Sequence, residues 1–246
     1  MHKLRETIAV TVLLCGAATL LLGMVTQMQS RHIQTDAGLG ADAGNAYEGI
    51  TVVIDAGHGG EDGGTQSAEG LQEKEINLQI AQLLNDMLRS NGIATVMTRT
   101  EDILLYDRNA NYRGHKKMLD LAARRKIAEE TENAVFVSIH MNSFPESKYR
   151  GLQVFYSPHN PQSQELANMI QKDAQAYLMP ENHRKIKPAT SAIYLLDRLH
   201  CPAVLVECGF LSNPSEAAMF ATEEYRQEVA FVLFCSIMSY ISDFGA

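Results

Sequence analysis

The sequence predicts a three-layer α/β/α domain whose mostly parallel sheet has about six strands. Two observations predict it. Apolar, β-rich runs alternate with helical patterns from Gly49 onward, and three of those runs stop on a polar residue. Such alternation implies strands joined by helices that cover both faces of one sheet. In chain order, strands are expected at 51–55, 94–98, 135–140, 152–157, 192–196 and 203–207, each a short apolar run bounded by turn residues. Helices are expected at 76–90, 117–130, 163–178 and 223–241. In the second of these, Leu119, Ala122, Ala123, Lys126 and Ile127 have the i, i+3, i+4 spacing of a face laid on a sheet.

The segments before Gly49 read differently. Residues 1–28 carry Lys3 and Arg5 and then an uncharged run from Ile8 to Val25, long enough to cross a bilayer core. The expectation is a membrane anchor with its basic end in the cytoplasm and the rest of the chain outside. A cleaved signal peptide, giving a secreted protein, is the alternative. Residues 29–48 lack apolar periodicity and are rich in Gly, Ala, Asp and Asn, so they are expected to be a linker. Residues 49–246 then form one catalytic-size domain with no internal repeat. The formal net charge of -8 disfavours binding to a phosphate backbone, so no nucleic-acid partner is expected. With no Trp, a carbohydrate would be held mainly by polar groups. Cys201, Cys208 and Cys235 are expected as buried free thiols, because Cys201 and Cys208 flank one strand and stand too far apart to join.

The polar strand ends carry the chemistry. The first strand runs into Asp55-Ala-Gly-His-Gly-Gly60, the third ends at His140, and the last ends at Glu207. Ligands of open α/β sheets bind at the carboxyl ends of the strands, so these side chains should converge. Two imidazoles and carboxylates there suggest a catalytic metal site of His2Glu type with an acid/base beside it. Glu73 and Glu75, at the start of the first long helix, are both candidates for the remaining ligand, and spacing does not choose between them. His115, His159, His183 and His200 sit in or beside loops and are expected at the surface.

Four strings, Val53-Ile-Asp-Ala-Gly-His-Gly-Gly60, Gly70-Leu-Gln-Glu-Lys-Glu-Ile-Asn-Leu78, Ser138-Ile-His-Met-Asn142 and Pro202-Ala-Val-Leu-Val-Glu-Cys-Gly-Phe-Leu-Ser-Asn213, resemble in order those of the zinc-dependent N-acetylmuramoyl-L-alanine amidases of the amidase 3 type. The resemblance implies one Zn2+ per chain held by His58, Glu73 and His140, with Glu207 as the catalytic carboxylate. It selects Glu73 because the family's ligand directly precedes the lysine. It implies hydrolysis of the amide between the lactyl group of N-acetylmuramic acid and the L-alanine of the stem peptide. The anchor, the short linker, the lack of a wall-binding module and the segment 104–118 look like the sporulation subgroup, which acts on spore cortex toward muramic δ-lactam. Cys208 departs from the small or apolar residue usual there. Ser138, Asn142, Arg99 and Asp102 are weighed as helpers of the site, with structural roles favoured. Expected partners are peptidoglycan, the membrane through the N-terminal segment and, as an open alternative, an activating protein. The location implied is the outer side of a bacterial membrane, facing forespore and cortex. A zinc peptidase or deacetylase acting on the same polymer, or an inactive wall-binding protein, are the competing readings.

Overall fold

Strand β1, Thr51–Ala56, is the second strand of a six-stranded sheet. The computed structural model describes residues 49–106 and 114–244; the expected anchor, the linker and part of 104–118 lie outside them. The other strands are β2 (Ala94–Met97), β3 (Ala134–Asn142), β4 (Gln153–Tyr156), β5 (Lys187–Pro188) and β6 (Ala203–Phe210). Their order across the sheet is β2-β1-β3-β6-β4-β5. The first four are mutually parallel, whereas β4 runs antiparallel to β6 and carries β5 parallel to itself at the edge. The sheet is therefore mostly parallel, as the alternation of elements implied.

Alternating side chains feed two separate cores. Val52, Ile54 and Ala56 of β1, Val135, Val137 and Ile139 of β3, and Val204 and Val206 of β6 face the larger one. Helix α1 (Glu73–Ser90) closes it with Ile76, Ile80, Ala81, Leu84 and Leu88, a stripe at helical spacing. Helix α3 (Pro161–Asp173), started by the side chain of Asn160 on Gln162 N and by Pro161, adds Leu166, Ala167 and Ile170. It runs on into a π-helical turn, Ala174–Leu178. Helix α5 (Glu223–Phe244) supplies Val229, Leu233, Ile237 and Ile241 to the same core. Among the described residues α5 alone is long and apolar enough to cross a membrane, and its buried stripe accounts for that composition. A short helix not foreseen, α4 (Pro214–Phe220), follows Asn213, whose side chain accepts from Ser215 N and Glu216 N.

The opposite face is covered more thinly, by helix α2 (Lys116–Glu130) and the segment after β5. Two sequence expectations fail on this face. Residues 192–196 do not form a strand. They coil in turns, with Ile193 N donating to Thr190 O at 2.9 Å and Leu199 N to Leu195 O at 2.9 Å, so that Leu195, Leu196 and Leu199 pack under the sheet. The sixth strand is the two-residue β5 instead. Helix α2 also presents a different side. Asp120, Arg124 and Ala128 are its buried residues, while Leu119, Ala122 and Lys126 lie exposed. A buried ion pair, rather than an apolar stripe, fixes the rotation of this helix.

Candidate metal centre

Strand parity decides where the polar ends meet. Asp55 pairs with Ser138, and His140 with Glu207, on the thinly covered face. His58 reaches the same place from the turn after β1, where its backbone takes the left-handed conformation at φ 62°. Glu73 arrives as the first residue of α1, its buried carboxylate at the positive end of the helix dipole. Glu75, one of the two candidates, is exposed.

The three side chains meet on one oxygen. Glu73 Oε1 lies 3.2 Å from His58 Nε2 and 3.0 Å from His140 Nδ1. One donor atom from each of the three falls within 4.8 Å of the others, close enough to share a cation. A bulge at His140–Asn142 frees Met141 N from the ladder, and that amide donates to the same oxygen at 3.0 Å. Thr65 N donates to Oε2 at 2.8 Å, and Asn77, one turn along α1, reaches both Oε1 at 3.3 Å and Gly57 O at 3.2 Å. Gly57 is glycine for a steric reason: a Cβ there would collide with the His140 imidazole. At Gly64, φ +68°, a Cβ would run into the Glu73 side chain.

The electrostatics favour positive charge at the centre. Burial pulls the His58 imidazole down, but the carboxylates of Asp62 and Glu73 outweigh it and push it up to about 9. Burial raises Glu73, yet the two imidazoles win and hold its carboxyl far below the usual range. Asp62 Oδ1 sits 2.9 Å from His58 Nδ1, although poorly aligned with it, since that nitrogen lacks a hydrogen bond of good geometry. Glu207, paired in register with His140, has its Oε2 buried and without a partner, and burial with the nearby Glu73 pushes its carboxyl upward. An acceptor left so is costly for a fold and free for a substrate.

Several contributors escaped the sequence reading. Asp62, four residues past His58, and Arg124 were not singled out, and Asn77 lay within a motif without being given a role. Of the helpers weighed, Ser138 donates to Asp55 Oδ2 at 2.6 Å, and Arg99 donates to Ala56 O and Gly57 O. Asp102 accepts from Gly60 N and Lys74 Nζ, whereas Asn142 Oδ1 accepts from the neighbouring Ser143 N. Cys208 points into the large core, away from Glu207, and burial pushes its thiol up, so it is an inert packing residue. Cys201 and Cys235 are free, as expected, but half-buried rather than buried, and the four loop histidines are exposed, as expected.

Comparison with known proteins agrees with this geometry. A family model described as N-acetylmuramoyl-L-alanine amidase matches residues 52–237. The germination-specific N-acetylmuramoyl-L-alanine amidase of Bacillus subtilis is 33% identical over 197 residues, 80% of this chain and 82% of that one. The CwlD amidase of Clostridioides difficile, solved in complex with the GerS lipoprotein, superposes with a TM-score of 0.73 at 38% identity, covering 78% of this chain and 98% of that one. A second N-acetylmuramoyl-L-alanine amidase, from Clostridium difficile 630, gives a TM-score of 0.68 at 31% identity over 80% of this chain and 99% of its own. With the match spanning the turn bearing His58, the strand bearing His140, the helix bearing Glu73 and the strand bearing Glu207, the chain belongs to the amidase 3 family and is an N-acetylmuramoyl-L-alanine amidase acting on peptidoglycan.

Proposed function

We propose that this amidase is zinc-dependent, with His58, Glu73 and His140 as the metal ligands and Glu207 as the catalytic carboxylate, and that its substrate is spore cortex. The observation that carries the assignment is the meeting of both imidazoles on Glu73 Oε1 beside the unpartnered Glu207 Oε2. Ligand atoms around tetrahedral zinc stand about 3.3 Å apart for bonds near 2.0–2.1 Å. The separations of 3.2 and 3.0 Å therefore fit such an ion with little rearrangement. Zinc bound there supplies Lewis acidity toward water and the substrate carbonyl.

The chain's own residues do the rest. Glu207 takes a proton from the attacking water as its oxygen bonds to the lactyl carbonyl carbon. As the C–N bond breaks, Glu207 passes that proton to the departing nitrogen of L-alanine. The products are a lactyl carboxylate on the glycan and a free peptide amine.

The cortex assignment, as a step toward muramic δ-lactam, follows from the resemblance of the sequence motifs, and the germination-specific amidase of Bacillus subtilis supports a role in germination. A protein partner is part of the proposal, supported by the complex in which the Clostridioides difficile relative was solved. So is an exported, membrane-attached location through residues 1–28, supported by the uncharged run behind Lys3 and Arg5.

The test is mass spectrometry of cortex and vegetative peptidoglycan digested by the full chain with added zinc, beside Glu207→Gln. Free peptides beginning with L-alanine are expected from the wild type only, with zinc retained by the variant. Undiminished cleavage by Glu207→Gln removes that residue's role. Release of acetate or of internal amino acids instead would identify a deacetylase or peptidase.

A further inference from the structure

The left-handed backbone of His58 costs an ordinary L-residue about 1–3 kcal/mol, and such a conformation persists only where the surroundings over-determine it. The surroundings here are two buried guanidiniums. Arg124 reaches from α2 along the thinly covered face, its Nη1 donating to Ala56 O at 2.7 Å and its Nη2 to His58 O at 2.7 Å. Arg99, just past β2, donates from Nε to Ala56 O at 2.9 Å and from Nη2 to Gly57 O at 3.0 Å and Lys74 O at 2.8 Å. Three consecutive carbonyls of the turn, and the first turn of the helix that bears Glu73, are thereby tied to two side chains. Both are nearly inaccessible to solvent, at 2% for Arg99 and 1% for Arg124.

Keeping two cations together in the interior is expensive. Burial and the facing Arg124 pull Arg99 down to about 10. Two carboxylates offset the charge: Asp120 accepts from Arg124 Nε at 2.7 Å, and Asp55 Oδ1 from Nη1 at 2.7 Å. Asp55 then links the turn to β3, because its other oxygen accepts from Ser138, two residues before His140. An apolar pair filling the same space would leave these carbonyls without donors. What guanidiniums provide and apolar groups do not is a fixed fork of donors aimed at backbone carbonyls.

We propose that Arg99 and Arg124 are positioning residues that hold the turn 56–58 in its strained form, so that His58 is presented to the metal before the metal arrives. The proposal rests on the reading of His58, Glu73 and His140 as zinc ligands. Without the fork the turn relaxes toward an ordinary conformation and the imidazole swings away. Zinc must then bear the cost of re-forming it.

The test is zinc affinity of the full chain in mild detergent, measured by competition with a fluorescent chelator at a temperature where each variant is folded. Arg124→Lys and Arg99→Lys keep the charge and lose the fork. Each should weaken zinc binding about 10–100-fold, the range seen when groups behind metal ligands are altered. Leu84→Ala, in the large core away from the turn, serves as the control for stability alone: it should lower the melting temperature and leave zinc affinity within about twofold. Lysine variants that are folded and bind zinc within twofold of wild type overturn the proposal. If one lysine variant fails to fold, the other decides. If neither folds with or without zinc, the arginines determine the fold and the proposal is likewise overturned. Wild-type protein that binds no zinc would defeat the ligand assignment itself, a separate result.

Discussion

Replacing Gly57 by alanine isolates the geometry of the centre from its chemistry, because it adds one methyl group and changes no ligand. The added Cβ would overlap the Cε1, Nε2 and Cδ2 atoms of His140. A methyl carbon packs no closer than about 3.5 Å to a ring atom, so the imidazole has to retreat by about an ångström. A displacement of that size at a reacting centre costs on the order of 100-fold in rate. Overpacking a tight interior costs about 1–3 kcal/mol, which for a domain of this size lowers the melting temperature by roughly 2–12 °C. Gly92→Ala is the matched control. Its φ of +79° strains any side chain, but nothing lies within 4 Å of the new Cβ. It should lower stability and leave turnover untouched. The assay is release of peptides beginning with L-alanine from peptidoglycan at saturating zinc, alongside thermal melts of both variants. A Gly57→Ala enzyme with wild-type kcat/KM would refute the placement of His140 against this glycine, and with it the argument for a rigid centre.

Two further outcomes follow from the electrostatics. In the metal-free protein His58 is raised from 6.5 to about 9, so its contribution to stability is complete below about pH 6.5 and is lost as pH rises through 9. Zinc ligation requires the unprotonated imidazole, so apparent zinc affinity should climb about tenfold per pH unit toward pH 9 and then level off. Chelator competition from pH 6 to 10 reads this directly, and a flat profile would contradict it. Above pH 9, where protons no longer compete for His58, Asp62→Asn should reduce zinc affinity about 10–100-fold by removing the carboxylate beside His58 Nδ1. An unchanged dissociation constant would show that this carboxylate does not orient the ring.

Much of this was legible beforehand because a polar residue at the end of an apolar strand is seldom there for packing. Asp55, His140 and Glu207 declared themselves in that way, and the glycines around His58 marked a turn. Glu73 did not, since acidic residues are ordinary at helix starts; burial separates it from Glu75, and burial is a tertiary property. Residues 192–196 misled for a related reason. A five-residue apolar run has too little length for periodicity to tell a strand from packed turns. Helix α2 misled most. The rule that a buried face is apolar picks Leu119 and Ala122, which are exposed, together with Ile127, which does pack on the smaller core; the positions buried outright include Asp120 and Arg124. The energy that orients this helix lies in hydrogen bonds to β1 and the turn after it, and no hydrophobic pattern records them.

The unequal covering of the sheet has a consequence for how such a protein can change. Three long helices bury the large core on one side, while His58, His140 and Glu207 lie outside it at the strand ends. Most of the chemistry thus lies at the strand ends on the thinly covered side, and the first turn of α1, which brings Glu73 and Asn77, joins it to the large core. Loops at the carboxyl ends of the strands can be lengthened, trimmed or exchanged without opening the hydrophobic layer beneath. Substrate preference and thermal endurance are two separately adjustable traits of this scaffold, one tuned by what hangs over the sheet and the other by what lies behind it.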